Sequence, residues 1–375
     1  MNILAITFEA PSKKSGGGIG VIQSIESLLE CGDVDYIGPK FDDDILFKLH
    51  DVKNLYYSSG LKSRFNSAIH GVTNGYYESW LRIKDIIDWK KYDVVSVEFT
   101  RFYFVVKEAK KNNLPVIVRM HNVERDYFHN LYNIKRNLTS KIQEIVYGYN
   151  ERKCVEKSDA ILVLTNADSA RILELYGFSS SHKIIVNPVC IPDGNDESNG
   201  EKRGFLITGS LWYGPNADGV LWVLKEVWPF FDKLNIPLVI AGSNPNPEII
   251  KASKLFKNVC IVESPSDMSV YFLRAKYFIA PIFSGAGMKV KIAEAMMYGL
   301  PIVASEHALI GYEVNEATKC FKEAGELICS MKELLAINDE GYIALQKMQR
   351  AHYFDNYSMK TSTQNYKNTF SKIIT

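Results

Sequence analysis

Short apolar runs alternate along this chain with longer stretches whose apolar residues recur every three or four positions. The runs 2–7, 34–37, 93–97, 115–119 and 160–164 occupy the first half; 204–208, 237–241, 259–262, 277–282 and 301–304 occupy the second. They are too short for helices and rich in Val, Ile and Leu, the signature of strands buried on both faces. The stretches 18–30, 76–89, 102–112, 138–157 and 216–233 carry a helical period. A β-then-α rhythm repeated in each half predicts an α/β protein with two parallel, doubly wound sheets. Between the halves, Asn187-Pro188-Val189-Cys190-Ile191-Pro192-Asp193-Gly194 and the following Asn195–Gly200 are rich in Pro, Gly, Asn and Asp without an apolar period. That composition reads as a linker. The expected division is 1–190, 203–355 and a closing segment, 356–375. Ligands of open α/β sheets bind beyond the strand C-termini. Two such sheets facing each other would enclose a cleft.

Length and composition fit this picture. The 375 residues suit two domains, and 46% hydrophobic with 23% charged residues is ordinary for a globular chain. A net charge of +1 offers nothing to nucleic acid. Six cysteines at irregular spacing, with no CxxC, read as reduced thiols rather than a disulfide framework or zinc site. The apolar start Met1–Thr7 runs straight into Glu9, without the basic region of a signal peptide. No apolar run approaches the ~18–20 residues that span a bilayer. A cytoplasmic protein is expected.

The most informative stretch is Ser284-Gly285-Ala286-Gly287-Met288-Lys289-Val290-Lys291-Ile292-Ala293-Glu294-Ala295-Met296-Met297-Tyr298-Gly299, set between two apolar runs. Strand, glycine-rich loop, helix and strand make a βαβ unit. The loop would open on a helix N-terminus, where free N–H groups and the dipole favour an anion. Lys289 and Lys291 lie where a helix prefers acids, so a bound anion would offset them. Lys291 and Glu294, three apart, share a face, suited to a phosphate with a hydroxylated group beside it. The competing reading is a Gly-rich turn with a solvated charge pair. A second glycine loop, Ser15-Gly16-Gly17-Gly18-Ile19-Gly20, precedes a helix expected near Val21, and Gly17 and Gly18 are candidates to face a phosphate. Its spacing is not G-x-G-x-x-G, and a lone glycine loop is a weak signal.

These segments resemble the retaining family-4 glycosyltransferases of GT-B fold. The similar stretches are Thr208-Gly209-Ser210-Leu211-Trp212-Tyr213-Gly214-Pro215-Asn216, Val239–Ser243, and the loop and helix through Ser305. In one branch of that family a glycine-rich loop precedes basic-x-Lys-x-x-Glu-Ala-Met and Gly-x-Pro-Val-Val-Ala. Lys289, Lys291, Glu294, Ala295, Met296, Gly299 and Pro301 fit it in register. Arg119-Met120-His121-Asn122-Val123-Glu124 is similar to a segment of the same branch. Two departures matter. A glutamate that often precedes Glu294 by eight positions falls on Ala286, and a position that is commonly Arg is Lys289. The second change keeps charge but loses bidentate phosphate geometry.

The resemblance implies two Rossmann-like domains facing a cleft, and transfer of a sugar from a nucleotide diphosphate sugar with anomeric retention. It implies no cofactor and no metal. The acceptor would be a glycan or lipid-linked sugar, in surface polysaccharide assembly, at the inner face of the cell membrane. Lys289, Lys291 and the amides of Gly287 and Met288 would meet the departing diphosphate, as charge develops on it. Glu294 would accept ribose hydroxyls, Gly209 and Ser210 would add phosphate contacts, and Ser264 would hold the base through its backbone. His121 would meet the donor sugar. Glu98 and Arg101, closing the neighbouring strand, would meet the acceptor, while Glu124 and Glu151 read as structural ties. Asp42-Asp43-Asp44 looks like an acidic helix start rather than a metal site. Aromatic and basic residues over 56–91, with Lys135, Arg136 and Lys141, form a candidate membrane surface against the plainer reading of packing plus solvated charge. The C-terminal stretch resembles the family's closing segment, which crosses back to the first domain. Tyr366, Phe370, Ile373 and Ile374 share one helical stripe, so this helix must dock to persist. Nucleotide-sugar 2-epimerases share the fold, and a catalytically silent binding subunit is the non-enzyme alternative.

Overall fold

The computed structural model describes all residues except 13–15, 42–46, 59, 61–74, 178–182, 195–200, 286 and 375. The acidic run at 42–44 and most of the aromatic segment 57–74 therefore lie outside the described residues. The chain divides into two compact units, Met1–Val189 with Met359–Thr375, and Cys190–Ser358.

The first unit is a seven-stranded parallel sheet in the order β3-β2-β1-β4-β5-β6-β7. Its strands are β1 (Asn2–Ile6), β2 (Asp33–Gly38), β3 (Asp51–Asn54), β4 (Val94–Glu98), β5 (Val116–Arg119), β6 (Ala160–Val163) and β7 (Ile184–Val186). The crossover helices are α1 (Gly16–Leu29), α2 (Tyr77–Ile83), α3 (Tyr103–Lys111), α4 (Glu124–Lys135), α5 (Leu138–Lys157) and α6 (Asn166–Tyr176). Side chains alternate across a strand. Leu4 and Ile6 thus enter one core with Val95, Val97 and Trp80, while Ile3 and Ala5 enter the other with Val34, Val94 and Ile117.

The second unit is a six-stranded parallel sheet, β10-β9-β8-β11-β12-β13. In chain order it runs β8 (Phe205–Thr208), α7 (Gly214–Trp222), β9 (Leu238–Gly242), α8 (Pro247–Ser253), β10 (Val259–Glu263), α9 (Ser269–Arg274), β11 (Tyr277–Ala280), α10 (Val290–Met297), β12 (Ile302–Ser305), β13 (Thr318–Phe321), α11 (Ala324–Ala336) and α12 (Asp339–Asn356). The chain then returns to the first unit as α13 (Met359–Ile373), whose Tyr366 and Phe370 are buried against Ile3, Ala5 and Ile117. Tyr366 donates its hydroxyl to Ser24 Oγ at 3.0 Å.

Several expectations are corrected. The glycines at 16–20 are not a loop before Val21; α1 begins at Gly16, so Gly17 and Gly18 lie in its first turn. A Cβ on Gly17 would strike the Glu9 carboxylate, and one on Gly18 would lie 2.6 Å from the Ser12 carbonyl. Close approach to Glu9 and Ser12 requires glycine at both positions. The helix expected over 76–89 stops at Ile83 and passes into 3₁₀ turns, where β-branched Ile83, Ile86 and Ile87 and two aspartates are weak helix formers. The helix expected over 216–233 ends at Trp222 and continues as a π turn and short 3₁₀ turns. Pro229 lacks the N–H that a continuing helix needs. Residues 190–193 are not a solvated linker. Cys190 and Ile191 are buried. Tyr353 donates its hydroxyl to the Ile191 carbonyl at 2.8 Å and to Asp193 Oδ1 at 2.9 Å, tying the segment to the second unit.

Candidate functional site

In the second unit the candidate residues gather beyond the C-terminal ends of the strands, as the topology of an open sheet requires. Gly209 follows β8, Gly242 ends β9 and Ser264 follows β10. Gly209 donates its amide to the Ala241 carbonyl at 3.2 Å, and Ser264 donates to Gly242 at 2.8 Å. Ser264 adopts a left-handed φ of 47°, a conformation uncommon outside glycine. A Cβ on Gly209 would sit 2.5 Å from Lys291 Nζ and 2.9 Å from Asn216 Nδ2. Only glycine lets the ammonium come this close to the backbone.

Lys291 is the centre of this group. Its Nζ donates to the Thr208 carbonyl at 2.6 Å and to Asn216 Oδ1 at 2.9 Å. Asn216 in turn donates Nδ2 to the Ser210 carbonyl at 3.1 Å, so one side chain ties Lys291 to the Gly209-Ser210 turn. Both acceptors of Lys291 are neutral. Burial pushes the ammonium down to about 8, although Glu294, one turn along α10, favours its charged form. Burial also raises Glu294 above the usual carboxylate range, and Lys291 only partly opposes that.

Lys289 is the N-cap of α10, with extended backbone. Its Nζ donates to the carbonyls of Gly285 at 3.3 Å and Gly287 at 2.5 Å, and burial pushes it down to about 8. Gly285 and Gly287 have φ of 104° and 71°, which bring both carbonyls to one ammonium. His307 approaches the Gly285 carbonyl at 2.6 Å through Nε2, and Tyr312 donates its hydroxyl to the Lys289 carbonyl at 3.0 Å. Met288 is buried and anchors the loop. Asn216, His307 and Tyr312 are the contributors that sequence reasoning missed. Asn216 stood inside a quoted motif; His307 and Tyr312 carried no signal.

In the first unit the group centres on His121, which follows β5. Its ring is buried and stacks on Phe99 at 4.0 Å between centroids and 16° between planes. Phe99 has a φ of 70°, a strained value for an aromatic residue. Nε2 lies 2.6 Å from Glu98 Oε2, and since an ionised carboxylate only accepts, Nε2 is the donor. Gly20 of α1 backs the imidazole; a Cβ there would be 2.5 Å from Cε1. Burial lowers His121, outweighing the Glu98 carboxylate, which favours the charged ring. Arg119, fully buried, donates to the Gly20 carbonyl, to Ser24 Oγ at 3.1 Å and to Gln23 Oε1 at 2.7 Å. Its guanidinium lies 3.8 Å from Glu98 Oε2.

Glu98 is therefore not an open carboxylate awaiting an acceptor. It is the buried partner of His121 and Arg119. Arg101 is likewise committed: it pairs with buried Glu124 at 2.9 Å and lies over the rings of Phe99, Phe128 and Tyr147. Glu151 accepts the amides of Glu124 and Arg125 at 2.5 and 3.4 Å, and the Tyr176 hydroxyl at 2.6 Å. It fills the N-terminal amides of α4, which would otherwise lack partners. Burial pushes it up to about 7. Among the described residues no three His, Cys, Asp or Glu side chains form a metal-binding group, and no helix is long and apolar enough to cross a membrane.

Residues 202–336 match the model of the family described as Glycosyl transferases group 1. The match lies within the second unit, and the whole chain has the GT-B fold. Its likeness to a glycosyltransferase from Rickettsia africae has a TM-score of 0.70 at 15% identity, over 99% of this chain and 98% of that one. HepE of Anabaena, solved with UDP, gives 0.70 at 12% identity, over 99% and 100%. An uncharacterized 44.6 kDa protein in the cps region of Klebsiella pneumoniae is 27% identical over 338 residues, covering 84% of this chain and 85% of that protein.

Proposed function

We propose that this protein moves a sugar from a nucleotide diphosphate sugar to a glycan or lipid-linked acceptor, with retention of anomeric configuration, in surface polysaccharide assembly on the cytoplasmic side of the membrane. The observation that carries this is the Lys291 ammonium, held by two neutral acceptors and sharing its turn with a second depressed lysine. A buried cation without a bonded counter-ion is costly unless an anion joins it. The cps setting of the Klebsiella relative and the UDP bound by HepE support the substrate class.

As the bond from the anomeric carbon to the β-phosphate oxygen breaks, negative charge collects on the diphosphate. Lys291, Lys289 and the amides of Gly287 and Met288 stabilise that charge, the usual large electrostatic contribution to such catalysis. Lys289 exchanges the loop carbonyls for phosphate oxygens. Gly209 and Ser210 add contacts to the phosphates, Glu294 accepts the ribose hydroxyls, and the Ser264 backbone meets the base. His121, fixed by Glu98 and Phe99, lies against the donor sugar. It is not a general base. The leaving phosphate oxygen takes the acceptor proton while the acceptor oxygen bonds the anomeric carbon from the same face.

Mass analysis of products from a panel of UDP-, GDP- and dTDP-sugars tests this reading. A sugar added to an acceptor fits it. An epimerised donor, or binding without turnover, contradicts it. With two lysines and a helix N-terminus serving the diphosphate, transfer is expected to persist in excess EDTA. Loss on chelation with recovery on Mn²⁺ or Mg²⁺ would contradict the metal-free assignment.

A pH dependence follows from the two lysines. A bound diphosphate favours their charged forms, so binding takes up protons once the free site begins to lose them. Below about 8 both ammoniums are already charged, and affinity should be level. Above that value affinity should fall roughly tenfold per pH unit for each lysine engaged. Calorimetric titration of UDP, in buffers of different ionisation heat, reads both the Kd and the proton uptake. A constant Kd well above pH 9 would separate these lysines from the ligand.

A further inference from the structure

Helices α4 and α5 pack against each other in the first unit and are joined through Arg136, which takes a left-handed conformation. Helix α5 buries Ser140, Tyr147, Asn150, Glu151, Cys154 and Val155. Its opposite face carries large apolar residues that are exposed. Leu138, Ile142, Ile145 and Tyr149 follow one another at spacings of four, three and four, and at about 100° per residue they fall in a sector about 60° wide. They are 77%, 45%, 62% and 56% exposed, and Ile134, in the last turn of α4, is 81% exposed. Single exposed aliphatic residues are normal on a protein surface; five on one turn and one helical stripe are not.

The charge around this stripe has one sign in excess. Lys141, Arg152 and Lys153 project within about 70° of its centre on the helical wheel. Lys135 and Arg136 stand at the turn between the helices. The nearby carboxylates are two. Glu144 pairs with Lys141 at 2.8 Å and with His129 at 2.8 Å. Glu156 pairs with Arg152 at 2.9 Å and with Lys153 at 2.6 Å. Acidic residues elsewhere on α4 are turned to other tasks, Glu124 to Arg101 and Asp126 to Arg171.

We propose that this face docks on an anionic lipid surface, with α5 lying in the plane of the membrane. The apolar stripe would enter the boundary between headgroups and acyl chains, and the cations would sit at the level of the lipid phosphates. A second copy of the chain is a poorer occupant. Five side chains present an area on the order of 500 Å², short of the ~800 Å² per partner of a stable interface. A two-fold contact would also bring the same cations onto one another.

Flotation of the full chain with vesicles tests this without reference to transfer, so lipid binding can hold even if the proposed reaction does not. Binding is expected to vesicles of phosphatidylcholine with phosphatidylglycerol, to weaken as salt rises, and to be slight on phosphatidylcholine alone. The double substitution Ile142→Glu/Ile145→Glu is expected to lower the bound fraction roughly tenfold or more. Both positions are exposed, so the far-UV circular dichroism and melting temperature should be unchanged. Lys135→Glu/Arg136→Glu should remove the preference for anionic vesicles. Equal binding by wild type and the Ile142/Ile145 variant overturns the proposal. So does failure of the wild type to bind anionic vesicles, or a wild-type dimer in sedimentation that the same variant disperses.

Discussion

Replacing Lys291 by alanine is expected to lower turnover by roughly 10²–10³, the loss typical of one stabiliser of developing charge. The fold should tolerate the change. Burial already works against the ammonium, and its partners are the carbonyl that ends β8 at Thr208 and the Asn216 side chain, which keeps its bond to Ser210. The melting temperature should therefore move little while kcat falls. Asn216→Ala gives a companion result. Asn216 acts through Lys291 and the Ser210 turn, so its loss should weaken UDP binding and turnover together without abolishing either. Steady-state rates with the preferred donor measure both. Unchanged turnover in Lys291→Ala would remove the diphosphate assignment.

Ending the chain at Ser358 is expected to unfold the first unit and leave the second able to bind nucleotide. The sequence alone made the last helix a second connection between the domains. Its side chains are also part of the first unit's core. Truncation removes Tyr366 and Phe370, both buried, and the Ser362 hydroxyl that meets Gln23 at 3.0 Å and Ser27 at 2.9 Å. Losing one buried aromatic side chain costs about 3–5 kcal/mol. Losing two approaches the whole stability of an ordinary domain, about 5–15 kcal/mol. Calorimetry should show the first unit's transition lost, with UDP still raising the melting temperature of what remains. Full transfer by the truncated protein would contradict this.

The strands of both sheet interiors were legible because they are buried on both faces and so read as unbroken apolar runs. Of the edge strands only Val259–Glu263 was legible, at 259–262. Asp51–Asn54 and Thr318–Phe321 carry Lys, Asp, Asn and Thr, and only their pairing with Asp35–Gly38 and Ile302–Ser305 makes them strands. The helix N-terminus at Lys289–Lys291 was legible from glycine spacing and misplaced charge. The way each lysine is held was not, because carbonyls at 208, 285 and 287 leave no trace in side-chain identity, and the Asn216 acceptor of Lys291 lies 75 residues away in sequence. Glycine misled in the opposite direction at 16–20. There it marks where α1 presses on Glu9, Ser12 and His121, a tertiary constraint that local sequence reads as a turn. Glu98 was placed correctly at a strand end, but its pairing with His121 was not legible, since a residue number cannot show that β4 and β5 set the two side by side. The stripe on α5 escaped notice because this helix buries Ser140, Asn150 and Glu151 and exposes Leu138, Ile142 and Ile145, the reverse of the usual pattern.

The central claim is that the turn after β8 and the loop before α10 hold a nucleotide diphosphate. Hydrogen–deuterium exchange with and without UDP, GDP or dTDP tests it most directly. The account predicts slower exchange in peptides covering 208–217 and 284–297, a smaller effect near 264, and no such protection in Lys291→Ala at the same nucleotide concentration. Nucleotide binding that protects other segments and leaves these two unchanged, or no protection by any of the three nucleotides at millimolar concentration, would contradict it.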